Sequence, residues 1–217
     1  MEINRTRKEI KAYIENIVKW YNSNGRTFDW RETQDPYSIF VAEILLQRTQ
    51  AKQAEPIFNK IITEFPDVKS LSKAKASKLR RYLKPIGLIK RGDYLVETSN
   101  MILKKYDGQF PENKQELLNL KGVGYYTACA VLVFAFEQKY AIIDSNIIRI
   151  FERLFNFDNE SHEPKKRVIQ IGEELLPDES KIKEYSFGLL DISAEICKNN
   201  ETKCEICPIT EFCSSSQ

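Results

Sequence analysis

Four cysteines stand near the C-terminal end in the spacing C-x6-C-x2-C-x5-C: Cys197, Cys204, Cys207 and Cys213. Four thiolates at short, fixed separations can wrap one metal centre, and a loop of that size cannot form a core of its own. The compartment decides what the cysteines can be. Residues 1–11 are polar and charged rather than a signal sequence. No apolar run approaches the roughly 18 residues needed to cross a membrane. A soluble, intracellular chain is therefore expected, where disulfides are rare. Zinc sites usually pair two C-x2-C knuckles, and only one is present. Disulfides and a four-cysteine zinc site stay as alternatives, while a 4Fe–4S cluster held by four thiolates is the reading that fits the spacing. Cys129 stands apart on an apolar stretch and reads as a small core residue.

The rest of the chain reads as helices. Ile10, Ile14, Ile17 and Val18 recur at helical spacing before Asn24-Gly25. Similar patterns predict helices over 8–21, 36–51, 54–65, 68–74, 76–83, 92–105, 116–120, 125–136, 145–154, 165–176 and 181–196. Strand-like alternation is scarce, and residues 140–143 form only a short apolar linker, so the fold class is all-α. A chain of 217 residues makes one large domain or two small ones. No repeat or low-complexity linker separates them, so any two lobes are tightly joined. With 33 basic and 31 acidic residues, the net charge of +2 makes no electrostatic case for nucleic acid, and a basic face must come from asymmetry. The one histidine, His162, argues against a histidine metal site or a histidine-centred triad.

Two further features carry chemistry. Gly122 and Gly124, in Leu120-Lys121-Gly122-Val123-Gly124 between two helices, permit positive φ and close approach of a phosphate. The amides opening the next helix then form an anion site that needs no basic side chain. An ordinary tight turn is the alternative. Asp144, in Ala141-Ile142-Ile143-Asp144-Ser145-Asn146, sits where an N-cap belongs, and a capping aspartate held ionised by the helix can also act as a base or steady a cation. Glu43 has Ile39, Phe40 and Leu46 as helical neighbours, so desolvation should raise its pKa unless it is exposed or structural. One ionised and one protonatable carboxylate is the pairing that breaks a glycosidic bond.

These residues, from Leu120 through Tyr125-Tyr126-Thr127-Ala128 to Asp144 and the four cysteines, resemble the helix-hairpin-helix DNA glycosylases of the endonuclease III type over almost the whole chain. Trp20-Tyr21, Asn24-Gly25-Arg26, Trp30, Pro36-Tyr37 and Glu43-Ile44-Leu45-Leu46-Gln47-Arg48-Thr49-Gln50 look like the branch containing adenine and thymine mismatch glycosylases. The resemblance implies a two-lobed helix-hairpin-helix fold with a C-terminal 4Fe–4S loop. Residues 31–140 would form a helical barrel lobe, residues 1–30 with 141–217 the cluster lobe, and DNA would bind between them. Asp144 and Glu43 would be catalytic. Cys197, Cys204, Cys207 and Cys213 would bind the cluster.

Departures from the family pattern narrow the activity. Bifunctional members carry a lysine nucleophile where this chain has Tyr126, which cannot form a Schiff base. Adenine glycosylases usually have serine there and an additional C-terminal domain, whereas this sequence stops four residues after Cys213. Where adenine enzymes have a Gly-Tyr-Tyr-like loop, this chain has Gly87-Leu88-Ile89. Tyr126 therefore resembles the enzymes that remove thymine or uracil opposite guanine without cutting the strand, with adenine excision opposite guanine or 8-oxoguanine as the alternative. Mismatched double-stranded DNA would meet the amides of Gly122, Val123 and Gly124, Thr127, and the side chains of Arg48, Lys90 and Arg91. Gln47 and Leu88 would wedge into the base stack. The resemblance adds a monovalent cation at the hairpin. It also implies a monomer in the cytoplasm, associated with the nucleoid.

Overall fold

Helices dominate the computed structural model, which describes residues 6–156 and 164–216. Among those residues the one β-type pairing is an isolated bridge between Cys197 and Thr202. His162 lies outside them. The helices are α1 (Arg7–Asn24), α2 (Pro36–Leu46), α3 (Ala51–Glu64), α4 (Val68–Ser72), α5 (Ala76–Leu83), α6 (Arg91–Tyr106), α7 (Lys114–Leu118), α8 (Tyr125–Phe136), α9 (Ser145–Phe155), α10 (Pro164–Glu174) and α11 (Ile182–Glu195). None is long and apolar enough to cross a membrane.

The chain divides into two compact units, one of Met1–Arg26 with Glu137–Gln217 and the other of Thr27–Phe136. The expected division was at residues 31 and 140. The second boundary falls earlier because Glu137, at φ 54°, ends α8; Ala141, Ile142 and Ile143 then run as a buried, irregular linker.

In the unit Thr27–Phe136, α2 and α8 are apolar on every side and pack against each other, as helices without a polar face must. Asp35 starts α2 by accepting from the amides of Tyr37 (3.3 Å) and Ser38 (2.9 Å), with Pro36 in the first turn. In the other unit α1 packs on α11 and α9 on α11. Their buried faces, including Ile17, Ile147, Phe151, Tyr185 and Ile192, make one core.

The break between the second and third expected helices falls earlier than the sequence placed it. The helix expected over 36–51 stops at Leu46, Arg48 takes φ 60°, and the helix expected from 54 starts at Ala51. No proline or glycine marks the break. It is held from outside by Arg91, whose Nη1 donates to the carbonyls of Ile44 (3.0 Å) and Gln47 (2.5 Å). These are among the last-turn acceptors left without intrahelical partners.

Candidate functional site

The hairpin joins α7 to α8. Gly122 sits at φ 77°, and a Cβ there would come within 2.7 Å of the Tyr94 ring, so a side chain at this position meets both strain and a clash. The Thr98 hydroxyl donates to the Lys121 carbonyl at 2.8 Å and fixes the turn to α6. Gly124 is exposed, and a Cβ there would meet nothing within 4 Å. An approaching group therefore has room above the start of α8, where first-turn amides lack intrahelical acceptors. Val123 buries its side chain, and Lys121 is exposed with Nζ 5.9 Å from the Tyr94 ring centre. Tyr126, half-buried, lies on the first turn of α8.

Several residues expected to touch DNA gather around this hairpin in different postures. Gln47 is half-buried and donates from Nε2 to the Gly122 carbonyl and to Thr127 Oγ1, both at 3.2 Å. Thr127 is only 2% exposed. Its hydroxyl accepts from Gln47. Arg91 is engaged within the protein as well. It is half-buried beneath two carbonyls, and burial, followed by the charge of Arg48, pulls its guanidinium below the ordinary value. Arg48 and Lys90 are exposed, as a phosphate contact requires. Leu88 is half-buried, whereas its neighbour Ile89 is 44% exposed. Sequence reasoning did not single out Ile89, although its place after Gly87 (φ 73°) was the available signal.

Glu43 lies on α2, one turn before Gln47, and is 4% exposed among Ile39, Phe40 and Ile44. Asp144 belongs to the other unit. Its Oδ1 accepts from the amides of Asn146 (2.9 Å) and Ile147 (2.8 Å), and its Oδ2 accepts from the Asn146 side chain at 2.9 Å. Asn146 in turn accepts from Arg149 Nη1 at 2.9 Å. Arg149 then donates from Nε to the Cys197 carbonyl and from Nη2 to the Ser193 carbonyl, each at 3.0 Å. Neither Asn146 nor Arg149 was expected from the sequence. Together they link the aspartate to the cysteine loop through three consecutive hydrogen bonds.

Cys197, Cys204, Cys207 and Cys213 line a cavity of about 280 Å³ together with Ile150, Leu154, Ile196 and Ile209. Among the described residues no three His, Cys, Asp or Glu side chains converge on a single metal ion. The four sulfur groups are all thiols, the donor type that both zinc and iron–sulfur centres take. Burial pushes the Cys207 thiol up to about 11, opposed by a hydrogen bond from the Ile209 backbone and reinforced by Cys197, Cys213 and Cys204. Such thiols need a bound cation to ionise together. Arg153 braces the loop, donating from Nη1 to Cys197 Sγ (3.3 Å) and the Lys198 carbonyl (2.8 Å).

A helical hairpin whose second helix packs on the apolar α2, a capping aspartate and a four-thiol loop are the features of a helix-hairpin-helix protein. The chain belongs to the HhH-GPD superfamily of base excision DNA repair proteins, whose profile matches residues 41–178. It is 34% identical over 212 residues to the thymine/uracil-DNA glycosylase of Methanothermobacter thermautotrophicus, covering 96% of this chain and 95% of that one. It is 32% identical over 200 residues to the adenine DNA glycosylase of Buchnera aphidicola, but spans only 57% of that protein. A solved thermostable thymine-DNA glycosylase superposes with a TM-score of 0.88 at 33% identity, covering 96% of this chain and 97% of that one. An endonuclease III–DNA covalent intermediate shares the fold, with a TM-score of 0.82 at 17% identity and coverage of 98% and 97%.

Proposed function

We propose that the protein is a monofunctional DNA glycosylase that hydrolyses the N-glycosidic bond of thymine or uracil mispaired with guanine. The observation that carries this reading is its full-length likeness to thymine/uracil-DNA glycosylases. The adenine alternative rests on relatives that this chain spans only in part. The setting implied is a cytoplasmic, nucleoid-associated monomer acting on mismatched double-stranded DNA, with a monovalent cation aiding phosphate capture at the hairpin.

In this reading the amides around Val123 to Tyr126 grip one phosphate, and Arg48 and Lys90 add charge. Gln47 and the Leu88–Ile89 loop fill the gap as the target nucleotide turns out, an exchange costing a few kcal/mol that a poorly paired wobble reduces. Asp144 steadies the oxocarbenium-like sugar and orients the attacking water. Glu43 hydrogen-bonds the departing base, whose negative charge spreads from N1 onto its carbonyl oxygens. Tyr126 lines the pocket by shape and offers no amine for strand cleavage. Cys197, Cys204, Cys207 and Cys213 would hold a 4Fe–4S cluster, which when bound ties the loop into one structural unit.

Single-turnover assays on duplexes carrying G·T, G·U, G·A or 8-oxoguanine·A test the reading. Thymine and uracil are expected to be released, with strands broken only after alkali. Release confined to adenine, or breakage without alkali, would overturn it.

A further inference from the structure

The turn after α2 is held at two ends. On one side the Gln47 carbonyl, together with that of Ile44, accepts from Arg91 at 2.5 and 3.0 Å. On the other, the Gln47 side chain donates to the carbonyl of Gly122 and the hydroxyl of Thr127, each at 3.2 Å. A primary amide has two N–H groups, enough for one to each acceptor. Both acceptors belong to the hairpin: one is the glycine at φ 77°, the other lies on the first turn of α8. Gln47 and Thr127 are 80 residues apart, so the contact is a product of the fold rather than of a local turn.

We propose that Arg91 and Thr127 are positioning residues that hold Gln47 in register with the hairpin, so the phosphate gripped there fixes where Gln47 enters the base stack. The proposal rests on the reading above, in which the hairpin grips a phosphate and Gln47 enters the stack. Arg91 suits this role better than a phosphate contact because its Nη1 is already shared by two carbonyls at the negative end of α2. Thr127 suits it because a hydroxyl that is 2% exposed can act on DNA only through the group it holds.

The variants that test this are Thr127→Val, which removes the hydroxyl and keeps the shape, Thr127→Ser, which restores it, and Arg91→Lys, which keeps the charge but cannot reproduce a planar guanidinium. Each is measured for melting temperature, matched-duplex affinity across salt, and extrusion of 2-aminopurine beside a G·T mismatch. Thr127→Val and Arg91→Lys should lose about fivefold to tenfold in preference for the mismatch and in extrusion. Their matched-duplex affinity and salt slope should stay unchanged, and Thr127→Ser should recover the loss. Thr127→Val with full discrimination overturns the proposal, as does a salt slope shallower by about one in Arg91→Met, the mark of a lost phosphate contact. Gln47→Ala separates the two levels. If it keeps full discrimination, the underlying reading of Gln47 has failed; if it loses discrimination while Thr127→Val does not, the positioning proposal alone has failed.

Discussion

Asp144 stands half-buried at the head of α9 with three N–H donors at 2.8–2.9 Å from its carboxylate, while Glu43 lies 4% exposed in mid-α2, flanked by buried Ile39, Phe40, Ile44 and Leu45. The first carboxylate is aimed by polar contacts with its own helix start and, through Asn146 and Arg149, by the cysteine loop. The second is walled in by close-packed apolar neighbours, which leave a side chain few alternative rotamers. An acid at a helix start is sensitive to who donates to it. An acid buried among apolar side chains is sensitive to any change of volume.

The largest expected effect tests the first half of this contrast. Asp144→Asn keeps the size and an acceptor for the amides of Asn146 and Ile147, so α9 stays capped. It removes the charge that the proposed mechanism sets against the sugar. Base release from G·T and G·U should fall by about 10²–10⁴ while mismatch binding holds nearly constant. Full excision by this variant would remove Asp144 from the chemistry.

The next effect is smaller and tests the relay. Arg149→Met deletes the donor to Asn146 and the donors to the Cys197 carbonyl in the loop and the Ser193 carbonyl on α11. Charge-assisted hydrogen bonds of about 1.5–3 kcal/mol predict a fall in base release of roughly tenfold to a hundredfold, with duplex affinity unchanged. The purified protein is expected to be yellow-brown, absorbing near ~400 nm, and this variant should keep its colour and iron content, because Arg153 still donates to Cys197 Sγ. If colour and activity vanish together, Arg149 anchors the loop rather than positioning Asp144.

What could be read in advance followed the range of the interactions. The cysteine spacing, Gly122 and the cap at Asp144 are local, and each carries its own geometry in a few adjacent residues. Helix types were legible for the same reason, since apolar periodicity and capping residues lie within one window. A break between helices 36–51 and 54–65 was legible, but its place at residues 47–50 was not, because a group that holds it there, Arg91, is 44 residues away from Gln47. Arg149 reads in sequence as a polar position on an amphipathic helix, yet its guanidinium reaches Cys197, 48 residues on. The same holds for the contacts of Thr127 and Arg91 with residue 47. Residue type said that they could bond, and the long-range fold decided to what.

Glu43→Gln gives the smallest expected effect and sharpens the other half of the contrast. Glutamine matches glutamate in volume, so the packing around α2 should accept it without a shift, and the melting temperature should stay close to that of the parent. The chemistry then depends on the base that leaves. A departing pyrimidine carries its charge on N1 and the carbonyl oxygens, so it needs a hydrogen-bond donor rather than a delivered proton, and the glutamine amide supplies one. Base release from G·U should therefore fall by about tenfold or less, well short of the loss for Asp144→Asn. A purine leaves readily only once its ring is protonated, which glutamine cannot do. A loss as large as that of Asp144→Asn, with the fold intact, would mean that Glu43 delivers a proton, and it would turn the assignment from thymine and uracil to adenine.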